Sequence, residues 1–194
     1  MALVVGLGNP GTRYADTRHN VGWRVVDRLV ARWCARPAER TAEYRTWNAA
    51  PGGREVALLQ PLTFMNLSGE AVRAWGERHP LVLAEVLVVA DDVYLPVGSV
   101  RLRPGGSSGG HRGLESIEQA LGTREYARLR IGVGAADRAE LREHVLEAPA
   151  GDEGQMLELA ADRAADAAEC WLGEGILAAM SRFNRRERKE VSES

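Results

Sequence analysis

Apolar and polar positions along the chain alternate between two periods. ALVVGL at residues 2–7 is a continuous apolar run stopped by Gly8, Asn9, Pro10 and Gly11, which predicts a buried strand. From His19 to Trp33 the apolar positions Val21, Val25, Val26, Leu29 and Trp33 recur at helical spacing. Residues 42–49 and 54–60 predict a hairpin across Ala50-Pro51-Gly52-Gly53, with Gln60-Pro61 ending its second strand. Ser68 predicts the N-cap of a helix running to about Arg78, before His79-Pro80. EVLVVA at 85–90 is the most strand-like segment, and it ends at Asp91-Asp92. A strand at 98–103 runs into the glycine loop that begins at Pro104, and a helix at about 113–121 follows. ARLRIGVG at 127–134 alternates like a strand. Residues 139–147 predict a short amphipathic helix and 152–180 a long, alanine-rich acidic one. Strands alternating with helices predict a three-layer α/β domain. No repeat or long linker divides it, so residues 1–184 read as one domain and 185–194 as a charged, frayed tail.

Composition narrows the class. The 194 residues are 45% hydrophobic and 27% charged, which is ordinary globular usage. No apolar run reaches the ~18 residues a membrane span needs. The first residues carry no basic leader, so they read as a strand and not as a signal peptide. Cys34 and Cys170 lie far apart and outside any CxxC spacing. They read as free thiols in a reducing cytoplasm, with no zinc site and no disulfide.

Charge is unevenly distributed, although the net is only −2. Residues 1–54 hold nine arginines against four acids, and residues 98–130 six arginines against three glutamates. Residues 137–170 hold ten acids against three arginines. All bases but Lys189 are arginine, a residue suited to planar contact with phosphate. Two readings are open: a solvated surface, or a basic face for nucleic acid opposite an acidic helix.

Several segments carry candidate chemistry. Gly6-Leu7-Gly8-Asn9-Pro10-Gly11 has the literal spacing of a dinucleotide fingerprint. That fingerprint needs a helix starting among the glycines, and helical spacing here begins only near His19. A nucleotide-cofactor oxidoreductase is therefore disfavoured. The loop 105–113, flanked by Arg101, Arg103 and Arg112, suits a phosphate-rich partner better than a cofactor pocket, unless it is a plain connector. Asp91 and Asn9 both follow buried strands, where ligands collect in open α/β sheets. With His19 they can converge on one crevice, where a histidine oriented by a carboxylate can serve as general base. No Gly-x-Ser-x-Gly elbow appears, and nothing demands a metal. Direct attack by an activated water remains. Asn66, set among Phe64, Met65 and Leu67, is either a turn residue or a buried specificity group, and the turn is favoured.

Taken together, these segments resemble the bacterial peptidyl-tRNA hydrolase family. The resemblance runs through Val4, Gly8-Asn9-Pro10-Gly11, Tyr14, Thr17-Arg18-His19-Asn20 and Thr63 to Gly69. It continues through Asp91, Leu95-Pro96, Gly98, Gly109-Gly110-His111, Arg128 to Gly132 and Ser181 to Asn184, and so covers nearly the whole chain. It implies a single domain with a mixed, mostly parallel twisted sheet between helices, and a cytoplasmic monomer needing no metal or cofactor. The implied partner is peptidyl-tRNA, engaged through its acceptor stem and CCA end, and the implied reaction is hydrolysis of the ester joining peptide to tRNA. By position His19 matches the general base, and Asp91 the carboxylate that orients it. Asn66 matches an amide that holds substrate and polarises the carbonyl, and Asn9 the residue that recognises a blocked peptidyl amine. Tyr14 and Phe64 match positions lining the tRNA end, Met65 an apolar wall of the peptide channel, and Asn20 and His111 further substrate-site positions. Arg101, Arg103 and Arg130 fall where the family has a basic patch, and the helix at 139–147 matches a mobile flap. Where many members have His-Asn, this chain has His111-Arg112; Arg112 cannot accept a hydrogen bond, so the Asn role does not carry over. Arg112 instead suits a phosphate. A binding module that kept the RNA surface and lost hydrolysis is the competing class, and the joint presence of Asn9, His19, Asn66 and Asp91 argues against it.

Overall fold

A computed structural model describes residues 1–134 and 141–184. Its strands are β1 (Ala2–Gly6), β2 (Arg36–Arg40), β3 (Tyr44–Ala49), β4 (Val56–Pro61), β5 (Val86–Asp92), β6 (Val100–Arg103) and β7 (Ala127–Gly132). Its helices are α1 (Val21–Arg32), α2 (Ser68–Gly76), α3 (Arg112–Leu121), α4 (Leu141–Val145), α5 (Gly151–Glu174) and α6 (Ile176–Phe183). The strands form one mixed sheet in the order β2-β3-β4-β1-β5-β7-β6. The four central strands β4-β1-β5-β7 are parallel, and the pairs β2–β3, β3–β4 and β6–β7 are antiparallel.

Two-sided burial explains the continuous apolar runs, because a central parallel strand is covered on both faces. On β1, Ala2 and Val4 face the layer of α1, α5 and α6, whereas Leu3 and Val5 face the layer of α2 and α3. Val56 and Leu58 against Ala57 and Leu59 on β4, and Leu87 and Val89 against Val86 and Val88 on β5, follow the same period of two. Helix α1 meets the sheet through glycine. A Cβ on Gly22 would lie 2.6 Å from the Leu7 and Val89 backbone oxygens, so only glycine admits this approach. No described helix is long and apolar enough to cross a membrane. Cys34 and Cys170 are unpaired.

Several expectations are corrected. Strand β2 was not foreseen. Its residues Arg-Pro-Ala-Glu-Arg are mostly exposed and carry no apolar alternation, and Pro37 fits only because the strand is an edge. Ser68 is the first residue of α2 and not its cap: its hydroxyl donates to the Met65 carbonyl at 2.8 Å. The long helix expected at 152–180 breaks at Gly175, whose φ of +88° is outside helical space, giving α5 and α6. The helix at 139–147 appears as Leu141–Val145, while residues 139–140 and the 185–194 tail lie outside the described residues. Asn184 ends the described chain on the β6 edge, where its side chain accepts from Leu102 N and donates to Leu102 O.

Four of the nine N-terminal arginines are committed to ion pairs on one seam. Arg24, Arg28 and Arg32, one helical turn apart on α1, meet Glu158, Asp162 and Asp166, one turn apart on α5. Arg18 joins them through Glu153 at 2.7 Å. Part of the basic segment and part of the acidic segment thus neutralise each other across the α1–α5 seam.

A second kind of ion pair lies within the other layer. Arg128 is 1% exposed and bonds Glu118 of α3 at 2.9 Å, with its guanidinium stacked over Tyr126. Glu118→Ala leaves a buried charge uncompensated and is expected to cost about 3–5 kcal/mol. Asp162→Asn on the half-exposed α1–α5 seam should cost less than about 1 kcal/mol. Urea unfolding of the two variants checks the contrast, and similar losses for both would show that burial does not separate them.

Candidate active site

The site forms where β1, β5 and β7 end. Beyond β1 the chain turns through Gly8-Asn9-Pro10-Gly11, and Asn20 clamps this turn. The Asn20 side chain accepts from Asn9 N–H at 2.8 Å and donates to the Asn9 carbonyl at 3.0 Å. Asn20 is buried and does not line the cleft, so its expected substrate contact gives way to a role in holding Asn9. The Asn9 Oδ1 accepts from Met65 N–H at 2.8 Å. That bond fixes the amide orientation of Asn9, which lines the cleft.

Asp91, on β5, is the electrostatic centre. Its Oδ1 lies 2.7 Å from His19 Nδ1 and 2.9 Å from His111 Nε2. Burial pushes the carboxyl up, but the two histidines beside it favour its charged form, outweigh burial and hold the group below the usual carboxylate range. His111 also caps α3: its Nδ1 accepts from Gly113 N–H and Leu114 N–H. This network assigns the proton to Nε2 of His111, which donates to Asp91. Both nitrogens of His111 are therefore committed. His19 donates Nδ1–H to the same oxygen, and its Nε2 is left without a partner among the described residues. The ligand atoms of His19, Asp91 and His111 lie within 4.8 Å of one another, as a metal site would require. Here they serve a hydrogen-bonded array, which a metal would have to dismantle at His111.

A cavity of about 440 Å³ opens over His19. Met65, Leu141, Val145 and Leu146 give it apolar lining. Tyr14 and Phe64 also line it and meet edge to face, with centroids 6.4 Å apart. Asn66 sits in a 3-10 turn, Met65–Leu67, exposed and lining the cleft, so it is at once a turn residue and a polar group facing the cavity. Arg130 also lines it, but its guanidinium is bonded to Asp92 at 3.0 Å and to the Ser107 and Ser108 carbonyls. It anchors the glycine loop to β5. Arg101 and Arg103 lie outside the cleft, exposed on the edge strand β6. Arg112, the first residue of α3, is exposed and lines the cleft, as does Arg142.

In the sequence His111 reads only as a substrate-site residue, and Asp92 stands out for no role. Asp92 holds Arg130 and accepts from Tyr94 N–H at 2.8 Å. A histidine between a glycine loop and the first apolar residue of a helix was the available signal for the cap that fixes His111.

Comparison with known proteins agrees with this geometry. The sequence matches the peptidyl-tRNA hydrolase family over residues 3–191. It is 47% identical to the peptidyl-tRNA hydrolase of a Synechococcus strain, covering 95% of this chain and 83% of that protein. It is 42% identical to the one from Dehalococcoides mccartyi, covering 95% and 100%. The crystal structure of peptidyl-tRNA hydrolase from Acinetobacter baumannii superposes with a TM-score of 0.90 at 30% identity, covering 96% of each chain. The chain belongs to the peptidyl-tRNA hydrolase family.

Proposed function

We propose that the chain hydrolyses the ester joining a peptide to the terminal ribose of tRNA, with His19 as general base. The observation that carries this reading is the His19–Asp91–His111 array, with one imidazole nitrogen open to a cleft, in a chain of this family. The steps balance without a cofactor. His19 Nε2 takes a proton from water as the water oxygen bonds to the ester carbonyl carbon. Asp91 stabilises the imidazolium that results. The tetrahedral intermediate collapses, the ribose oxygen leaves with the proton from His19, and free peptide and tRNA are released. The amides of Asn9 and Asn66 are polar donors on the cleft wall, and one of them can meet the oxyanion. Tyr14 and Phe64 offer aromatic faces on which unpaired bases stack, as single-stranded RNA ends require. On this reading residues 1–184 act as one domain, as a monomer in the cytoplasm.

His19→Ala should lower kcat for release of N-acetylated amino acid from tRNA by about 10²–10⁴-fold, the usual contribution of a general base. EDTA should leave the unaltered enzyme unaffected, and a filter-binding assay should find tRNA affinity retained. Folded, tRNA-binding wild-type protein with no turnover would identify a binding relative instead.

Because Asp91 is held below the carboxylate range, it stays ionised above about pH 4. The acid limb of log kcat/KM should then carry no contribution from Asp91. A slope above one on that limb would show the Asp91 carboxyl taking up a proton in the same range and overturn this expectation.

Arg112→Asn should weaken tRNA binding and reduce the slope of log affinity against log salt by about one, as loss of a single phosphate contact requires. An unchanged slope would remove Arg112 from the RNA interface.

A further inference from the structure

One wall of the cleft has an attachment that the chemistry above does not use. Leu141, Arg142, Val145 and Leu146, on α4 and just beyond it, line the cavity. The described part of helix α4 spans Leu141–Val145, and contacts with the rest of the fold hold it in place. Arg18, the residue before His19, supplies much of that support. Its backbone N–H donates to the Glu147 carbonyl at 3.1 Å. Its Nη1 donates to the carbonyls of His144 at 3.0 Å and Glu147 at 3.3 Å. These carbonyls lie at the end of α4, where a helix leaves acceptors unpaired and favours a cation.

The other side of the guanidinium forms a fork with Glu153 of α5, with Nε and Nη2 each 2.7 Å from a carboxylate oxygen. The hydrogen bond to Glu153 raises the Arg18 pKa further, and the side chain is only 8% exposed. His144 adds a second tie through Nε2–H to the Val133 carbonyl at 3.0 Å, just past β7. The apolar wall and the turn that carries His19 are thus fastened to one buried arginine.

Resting on the ester-hydrolase reading, we propose that Arg18 is a positioning residue that sets the α4 wall for the peptide part of the substrate. The wall takes the peptide main chain and apolar side chains, and binding energy from this remote part is gained only where the wall is held in place. A single N-acetylated amino acid does not extend along it, whereas an oligopeptide does. Lysine at position 18 keeps the charge but cannot bond a planar carboxylate and two carbonyls from one fork.

The experiment compares wild type and Arg18→Lys on two substrates, N-acetyl-aminoacyl-tRNA and N-acetyl-oligopeptidyl-tRNA. The expected result is a KM raised about tenfold for the oligopeptidyl substrate only, because remote binding has been lost. For the single-residue substrate, kcat and the acid limb of the pH profile should stay as in wild type. Equal changes on both substrates, or a fall in kcat at constant KM, would overturn the proposal. If Arg18→Lys does not fold, Glu153→Gln carries the test: the same split, about threefold, supports the proposal and an unsplit response overturns it. Wild-type failure on both substrates overturns the ester-hydrolase reading and this proposal with it. Wild-type turnover with an unsplit variant overturns this proposal alone.

Discussion

The Asp91 carboxylate constrains the rest of the structure. An ionised group that is 1% exposed within a parallel sheet must have donors, or it would take up a proton. Two imidazoles supply them to a single oxygen, at 2.7 and 2.9 Å. Each donor needs its own element in place. His19 depends on α1 lying close over β1 and β5, which Gly22 permits. His111 depends on the start of α3, whose N–H groups fix its tautomer. With His111 committed at both nitrogens, His19 is the member of the pair left free to accept a proton.

The arginines divide according to what they face. Those on α1 are spent on α5, and Arg128 is buried against Glu118. Arg130 holds the glycine loop, and Arg18 holds α4. Arg101, Arg103, Arg112 and Arg142 are exposed, with no ion pair to another described residue. The count of bases alone therefore overstates the cationic surface that is free of ion pairs. These exposed cations lie near the cleft and on the β6 edge.

The central strands were legible because burial on both faces imposes unbroken apolar runs, as at 2–7 and 85–90. The hairpin 42–60 was legible from its turn residues. Strand β2 was not, because an exposed edge held by backbone bonds needs no apolar residues. The meeting of Asn9, His19 and Asp91 was legible because Asn9 and Asp91 lie at the carboxyl ends of strands, although β5 runs on through Asp92 and so contains Asp91. The partner of each polar group did not follow, since nothing local couples Asn20 to Asn9, Arg24 to Glu158 or His111 to Asp91. Such pairings depend on crossings between elements that are distant in sequence.

The glycine spacing at residues 6–11 shows why a motif must be read with its elements. In a dinucleotide site the helix begins among the glycines and offers its N-terminal N–H groups to pyrophosphate. Here α1 starts at Val21, ten residues after Gly11. A Cβ on Gly6 would collide with the Gly22 carbonyl, and one on Gly8 would meet the Trp23 indole at 2.6 Å. Gly11 has a φ of +102°, which turns the chain away from β1. The first two glycines seat α1 on the sheet and the third makes the turn. Asn20 bonds the backbone of Asn9 between them, so the loop is fixed around an asparagine amide and not around a phosphate. The same spacing that elsewhere brings backbone close to a cofactor here brings α1 close to β1, and so carries His19 to Asp91.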